Sequence, residues 1–284
     1  MPPPGIARNP PDRRKVRGED MPMNAKLFQE RYGPYALVAG GSDGLGAAYA
    51  EAIARRGLNL VLIARQAERL VATAGRLRRT YGVEVLTLAA DLADVDSVKQ
   101  SITALGVPIG LLVYNAAFAP IGLFEATPEA DLALAAAVNV RAPLLLAKLV
   151  SGPMIQRGRG GIVLMSSLAG TQGSPRLATY AATKSFNAIL AEGLWQELRP
   201  HGIDVVACVA GAILTPGYAQ AESAKPAPGT LKPQVIAEQA LNALGHGPLV
   251  IPGPINKVAR FVLARALSRR AAIRLMSSNT GGLS

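Results

Sequence analysis

Tyr35-Ala36-Leu37-Val38-Ala39-Gly40-Gly41-Ser42-Asp43-Gly44-Leu45-Gly46 is the stretch on which the fold turns. Five apolar residues without alternation read as a short strand buried on both faces, and the glycines after them as a tight turn opening a helix. Unpaired N–H groups at such a helix start can receive a pyrophosphate, and glycine lets backbone approach it closely. The same turn also occurs as plain structure, so its surroundings must decide.

Outward from that turn the pattern repeats. Short apolar runs recur at 58–64, 83–89, 111–114, 161–165, 205–209 and 249–251. Helix-length Ala/Leu/Arg segments separate most of them, at 46–56, 67–81, 95–105, 131–154, 178–198 and 231–244. Strict alternation of such strands and helices predicts a parallel sheet with right-handed crossovers. The expected fold is a single doubly wound Rossmann-type α/β domain of about seven parallel strands, with helices on both faces, over residues 25–253. Residues 1–24, rich in Pro and Arg, read as a disordered basic tail, and Met21 and Met23 just before the first foldable segment leave the start open between them and Met1. Residues 254–284 form a basic, apolar extension, read as one terminal helix over 254–276.

The chain has 284 residues, 50% of them hydrophobic, and a net charge of +11. That apolar share excludes a wholly disordered chain. The single cysteine, Cys208, excludes a disulfide scaffold and any Cys-rich zinc module, and suits a reducing, cytoplasmic setting. No uninterrupted apolar run reaches the roughly 18–20 residues of a bilayer span. His201 and His246 lack partners at metal spacing, so no metal is expected. The charge sits at the ends: +3 over 1–26, +6 from 254 onward and only +2 between. A nearly neutral body argues against nucleic acid as a partner.

Two further motifs accompany the glycines. Tyr180-Ala181-Ala182-Thr183-Lys184 places a phenol and an ammonium on one helix face. A tyrosine titrating near ~10 is a poor acid at neutral pH, and a nearby cation favours its phenolate. Thirteen residues before Tyr180, a strand ends in Ser166-Ser167-Leu168-Ala169-Gly170. With Gly-x3-Gly-x-Gly at Gly40, Gly44 and Gly46, the chain resembles the short-chain dehydrogenase/reductase family over residues 33–255.

The resemblance implies a catalytic tetrad of Asn139, Ser167, Tyr180 and Lys184. The separation from Tyr180 selects Ser167 over Ser166. Ser167 would position a carbonyl oxygen and Tyr180 would protonate the forming alkoxide, with hydride supplied by the nicotinamide. Lys184 would hold the ribose and polarise Tyr180, and Asn139 would hold a water joined to Lys184. Cofactor contacts carry over to Gly40, Ser42, Asp43, Gly44, Leu45, Gly46, Asp91, Leu92, Asn115, Ala116, Ala117, Tyr180, Lys184, Ala210, Gly211, Ile213 and Thr215. Ala64 stands in the slot where an acid would accept ribose hydroxyls, and Arg65 beside it suits a 2′-phosphate, which favours NADP(H) over NAD(H).

The chain departs from the pattern at Ala39, Tyr114, Ala117 and Ala210. Tyr114 and Ala117 are expected to crowd the turn near the cofactor. Those departures support a rival reading, a non-catalytic NADP-binding regulator. The implied substrate is a small carbonyl or alcohol, lipophilic by weak analogy with hydroxysteroid and 3-ketoacyl reductases. Residues 217–232 correspond to the family's substrate lid. Dimers or tetramers through helices 131–154 and 178–198 are expected. For the extension, peripheral contact with a membrane surface stands against an ordinary solvated helix, because its arginines scatter round a single helical wheel.

Overall fold

The computed structural model describes residues 25–214 and 227–280. The readings of residues 1–24, of Thr215 and of most of the 217–232 segment lie outside them.

Seven strands form one parallel sheet: β1 (Tyr35–Ala39), β2 (Asn59–Ala64), β3 (Val85–Ala89), β4 (Ile109–Tyr114), β5 (Gly160–Ser167), β6 (Ile203–Ala210) and β7 (Leu249–Val250). Their order is β3-β2-β1-β4-β5-β6-β7. Strand order reverses beside β1, which pairs with β2 on one side and β4 on the other. In such sheets the loops diverge there and leave a crevice at the strands' carboxyl ends.

The lack of alternation in the strands has a direct cause, because each face of the sheet meets its own core. Ala36, Val38, Leu60, Leu62, Leu111 and Val113 point into one cluster. Their neighbours Leu37, Ala39, Val61, Ile63, Leu112 and Tyr114 point into the other. Burying each Leu or Ile fully contributes roughly 1.5–3 kcal/mol, so a polar residue at any of these positions would be costly. The first core is covered by α2 (Gly44–Arg55), α3 (Ala67–Tyr81) and, late in the chain, α8 (Pro233–Asn242). The second is covered by α4 (Val95–Ala104), α6 (Ala142–Arg157) and α7 (Ala178–Leu198).

A buried charge ties α2 to α8. Arg56, 3% exposed, donates to Glu238 Oε2 at 2.6 Å, to Asn242 Oδ1 at 2.9 Å and to the Ala52 carbonyl at 2.9 Å. Burial opposes ionisation of Glu238, but the guanidinium groups of Arg56 and Arg55 outweigh it and hold the carboxyl below its usual range.

The structure departs from expectation in three places. A helix α1 (Ala25–Tyr32) precedes β1, fastened where Arg31 and Tyr32 both donate to the Asp204 carboxylate. The expected helix over 131–154 is instead α5 (Glu129–Ala136), a π-helical turn (Ala137–Arg141) and α6. The composite run Glu129–Arg157 has the length and hydropathy of a bilayer span, yet Leu146, Ala147 and Val150 are buried in the second core. Residues 254–276 are not one helix either. α9 (Pro254–Phe261) runs into a π-helical turn (Val262–Ala266), and extended Leu267 breaks the chain. Ser268 Oγ then accepts the Ala271 N–H at 3.3 Å, starting α10 (Arg269–Thr280) as an N-cap does.

Candidate active site

The turn after β1 is built by close approach. Gly40 has φ +83°, and a Cβ there would lie 2.9 Å from the Ala116 nitrogen. Gly46 sits so near that turn that a Cβ would fall 1.7 Å from the Gly40 carbonyl oxygen. The Ile63 carbonyl accepts both Gly40 N–H and Gly41 N–H, at 2.8 and 3.1 Å. Asn115 Nδ2 donates to the Gly40 carbonyl at 3.2 Å, while the Asn115 and Ala116 N–H groups donate to the Ala39 carbonyl. Asp43 caps α2 by accepting the Gly44 N–H at 2.6 Å.

At the end of β2 the wall is cationic. Arg65 is exposed and, among the described residues, forms no ion pair. Four residues on, Arg69 Nη1 pairs with Asp43 Oδ2 at 3.1 Å. After β3, Asp91 Oδ1 accepts the Ala93 N–H at 2.9 Å in a local turn, and Asp94 takes the capping role on α4.

The reacting end lies across β5 and α7. Ser166 Oγ donates to the Lys184 carbonyl at 2.7 Å, which commits that hydroxyl to structure. Ser167 Oγ instead accepts the Ala169 N–H at 3.2 Å and is hydrogen-bonded with the Tyr180 phenol. The Lys184 ammonium is buried; it donates to the Met165 carbonyl at 3.1 Å and lies 5.5 Å from the centre of the Tyr180 ring. Burial pushes Lys184 down to about 8. The Tyr180 phenol is raised, not lowered as the neighbouring Lys184 had suggested. Burial raises the phenol, the Ser167 hydrogen bond opposes it, and the ammonium is turned toward backbone.

Asn139 lies in the π turn, fully buried. Its Oδ1 accepts the Phe118 N–H at 2.8 Å, and its Nδ2 donates to the Phe118 carbonyl at 2.6 Å and to Thr183 Oγ1 at 3.1 Å. The side chain therefore braces the loop after β4 against α7 and makes no direct contact with Lys184. The crowding expected of Tyr114 is also corrected. Its side chain is buried in the second core, away from the crevice, with its hydroxyl on the Val138 carbonyl.

A cavity of about 880 Å³ joins these parts. Gly40, Ser42, Asp43, Gly44, Leu45 and Arg65 line one end, Asp91, Leu92, Asn115, Ala116 and Ala117 the middle, and Ser167, Tyr180, Lys184, Ala210, Gly211 and Ile213 the other. Gly46 and Asn139 stand behind the wall. The volume and the cradle at Gly40 fit an extended dinucleotide with room beside its reactive end. Sequence reasoning missed Arg69, Phe118 and Asn187. Asn187 is buried one turn from Lys184, donates to the Met165 carbonyl at 3.4 Å, and has no partner for Oδ1 among the described residues. Its spacing from Lys184 was the available signal; Phe118 had none, since its backbone makes the contact.

A family model described as short chain dehydrogenase matches residues 34–226. A very-long-chain 3-oxoacyl-CoA reductase of Laccaria bicolor is 34% identical over 64% of the chain, which spans only 55% of that protein's length. A 7beta-hydroxysteroid dehydrogenase of Collinsella aerofaciens is 30% identical, with 81% of this chain and 90% of that protein covered. An inactive hydroxysteroid dehydrogenase-like protein 1 of Mus musculus is 33% identical over 76% of this chain and 67% of its own. Among solved structures, a 7beta-hydroxysteroid dehydrogenase superposes with TM-score 0.83 at 28% identity, covering 88% of this chain and 99% of that one. A Sphingobium yanoikuyae enzyme in complex with NADPH gives 0.73 at 32% identity, covering 89% and 97%.

Proposed function

This chain belongs to the short-chain dehydrogenase family, whose members are oxidoreductases acting on hydroxyl and carbonyl groups, and on that footing we propose that it is an NADP(H)-dependent reductase of a lipophilic ketone or aldehyde. The observation that carries the reading is the continuous cavity linking exposed Arg65 to Ser167, Tyr180 and Lys184. Arg65 offers a planar pair of donors to a 2′-phosphate, and no acid stands at Ala64 to repel it. The likeness to an NADPH-bound structure points the same way.

When bound, the nicotinamide supplies the hydride. The residues of this chain do the rest. Ser167 orients the substrate oxygen beside the Tyr180 phenol, and Tyr180, kept protonated by burial, donates its proton as the alkoxide forms. Lys184, its ammonium donating to the Met165 carbonyl at 3.1 Å, lines the same end of the cavity and is placed to hold the nicotinamide ribose there. Asn139 holds the wall through Phe118, keeping the crevice fixed while charge moves. The relatives act, by their names, on steroids and long-chain acyl thioesters, which supports a bulky apolar substrate.

A regulator that binds NADP without turnover is the second reading, favoured by the likeness to an inactive relative. Following NADPH oxidation against a panel of steroid, long-chain and aromatic carbonyls separates the two. Turnover that is lost in Tyr180→Phe while NADPH still binds supports the reductase. Tight NADPH binding with no oxidation on any substrate supports the regulator.

A further inference from the structure

The helix after the last strand is turned inside out. On α9, Ile255, Val258 and Phe261 are 56%, 63% and 64% exposed, whereas polar Asn256 is 3% exposed. Spaced at i, i+3 and i+6, the three apolar side chains share one face. Asn256 explains the orientation. Its Nδ2 donates to the Pro252 and Gly229 carbonyls at 2.9 and 3.0 Å, and its side chain packs on Gly211, a residue of the crevice wall. The polar anchor faces the enzyme and leaves the apolar face to solvent. A single helical wheel through residues 254–276 hides this face, because the chain breaks at extended Leu267.

Charge selects what covers that face. Residues 254–284 carry Lys257, Arg260, Arg265, Arg269, Arg270 and Arg274 and no acid. Arg269 spends its guanidinium on the Thr171 carbonyl at 2.7 Å, which holds α10 against the crevice rim. A symmetric contact with a second copy would set two such cationic segments against each other without a compensating carboxylate. An anionic lipid surface complements both features, taking apolar side chains below and cations at headgroup level. The crevice opens nearby, and the loop after β4 exposes Leu123 and Phe124 at the same carboxyl edge of the sheet.

We propose that α9 and the cations after it dock the crevice rim onto anionic membrane surfaces. The inference is independent of which carbonyl is reduced. Each cation near such a surface strengthens partition about fivefold, so several together give measurable binding.

Full-length protein sedimented with vesicles of phosphatidylcholine alone, or mixed with phosphatidylglycerol, tests this. The expected result is co-sedimentation with the mixed vesicles only. The triple variant Ile255→Ser, Val258→Ser, Phe261→Ser should lose tenfold or more of that partition, by order of magnitude, while Tm and soluble-substrate turnover hold. Should that variant fail to fold, Phe261→Trp decides: a blue shift beyond the Trp195 background on adding mixed vesicles supports docking, and none overturns it. Wild-type protein left in the supernatant, or equal sedimentation of the triple variant, overturns the proposal. So does a triple variant that loses an oligomer by light scattering while the wild type ignores vesicles, since a second copy then covers the face.

Discussion

The Tyr114 hydroxyl donates to the Val138 carbonyl, inside the π turn that carries Asn139. The turn itself explains why this carbonyl is free. The Ala142 N–H bonds to Ala137, one residue further back than in an α-helix, so Val138 would need the N–H of residue 143. That residue is Pro143, which has none. A phenol from β4 fills the gap, so the unusual tyrosine of this chain holds the turn that aims Asn139.

Tyr114→Phe should therefore lower stability by about 1–3 kcal/mol, the cost of an unsatisfied buried carbonyl. Pro143→Ala, which returns an N–H, should recover part of that loss in the double variant. Urea unfolding of the four proteins reads the coupling; an unchanged midpoint in Tyr114→Phe contradicts the assignment.

Gly46→Ala places a methyl 1.7 Å from the Gly40 carbonyl, a backbone atom that cannot swing aside. The turn must open, at a cost of order 1–3 kcal/mol. NADPH affinity measured by fluorescence titration should fall further than stability measured by heat. Wild-type affinity in this variant would show that the turn does not touch the cofactor.

Arg65→Ala should weaken NADPH by roughly 10–100-fold, as expected for a charge-assisted contact, and leave NADH nearly unchanged. Arg69→Ala should do less, because its guanidinium is shared with Asp43. Equal losses for both cofactors would remove the 2′-phosphate role.

Glu238→Ala leaves Arg56 buried without its countercharge. The expected loss is about 3 kcal/mol at neutral pH, the lower end for broken buried pairs, since Glu238 is partly exposed. Its folded carboxyl lies below its usual range, so the pair's contribution is present above the unfolded value near ~4.5 and fades as pH falls through the lower folded one. The gap between wild type and variant should narrow on acidification; a constant gap contradicts the charge argument.

Much of the fold was legible because each strand feeds two cores, which removes alternation and leaves unbroken runs such as Leu60 to Ile63. The glycine spacing likewise maps onto one steric fact, the contact between Gly46 and Gly40. What escaped were features set by partners far along the chain. Helix α1 is short and only weakly patterned, and it is fixed by Asp204, which lies 172 residues from Tyr32. The π turn depends on Pro143 and Tyr114 together, and neither alone signals it. The direction in which Lys184 points depends on the Met165 carbonyl, a backbone group invisible to motif reading.

Hydride transfer in the crevice with Tyr180 as the acid leaves an isotopic signature in the product. NADPH deuterated at the transferable C4 position is incubated with the best carbonyl of the panel, and the alcohol formed is weighed by mass spectrometry. One deuterium is expected at the carbinol carbon with wild type, and a rate lower by about 10²–10⁴ in Tyr180→Phe despite bound cofactor. Alcohol formed without deuterium, or at an equal rate in Tyr180→Phe, would contradict that mechanism.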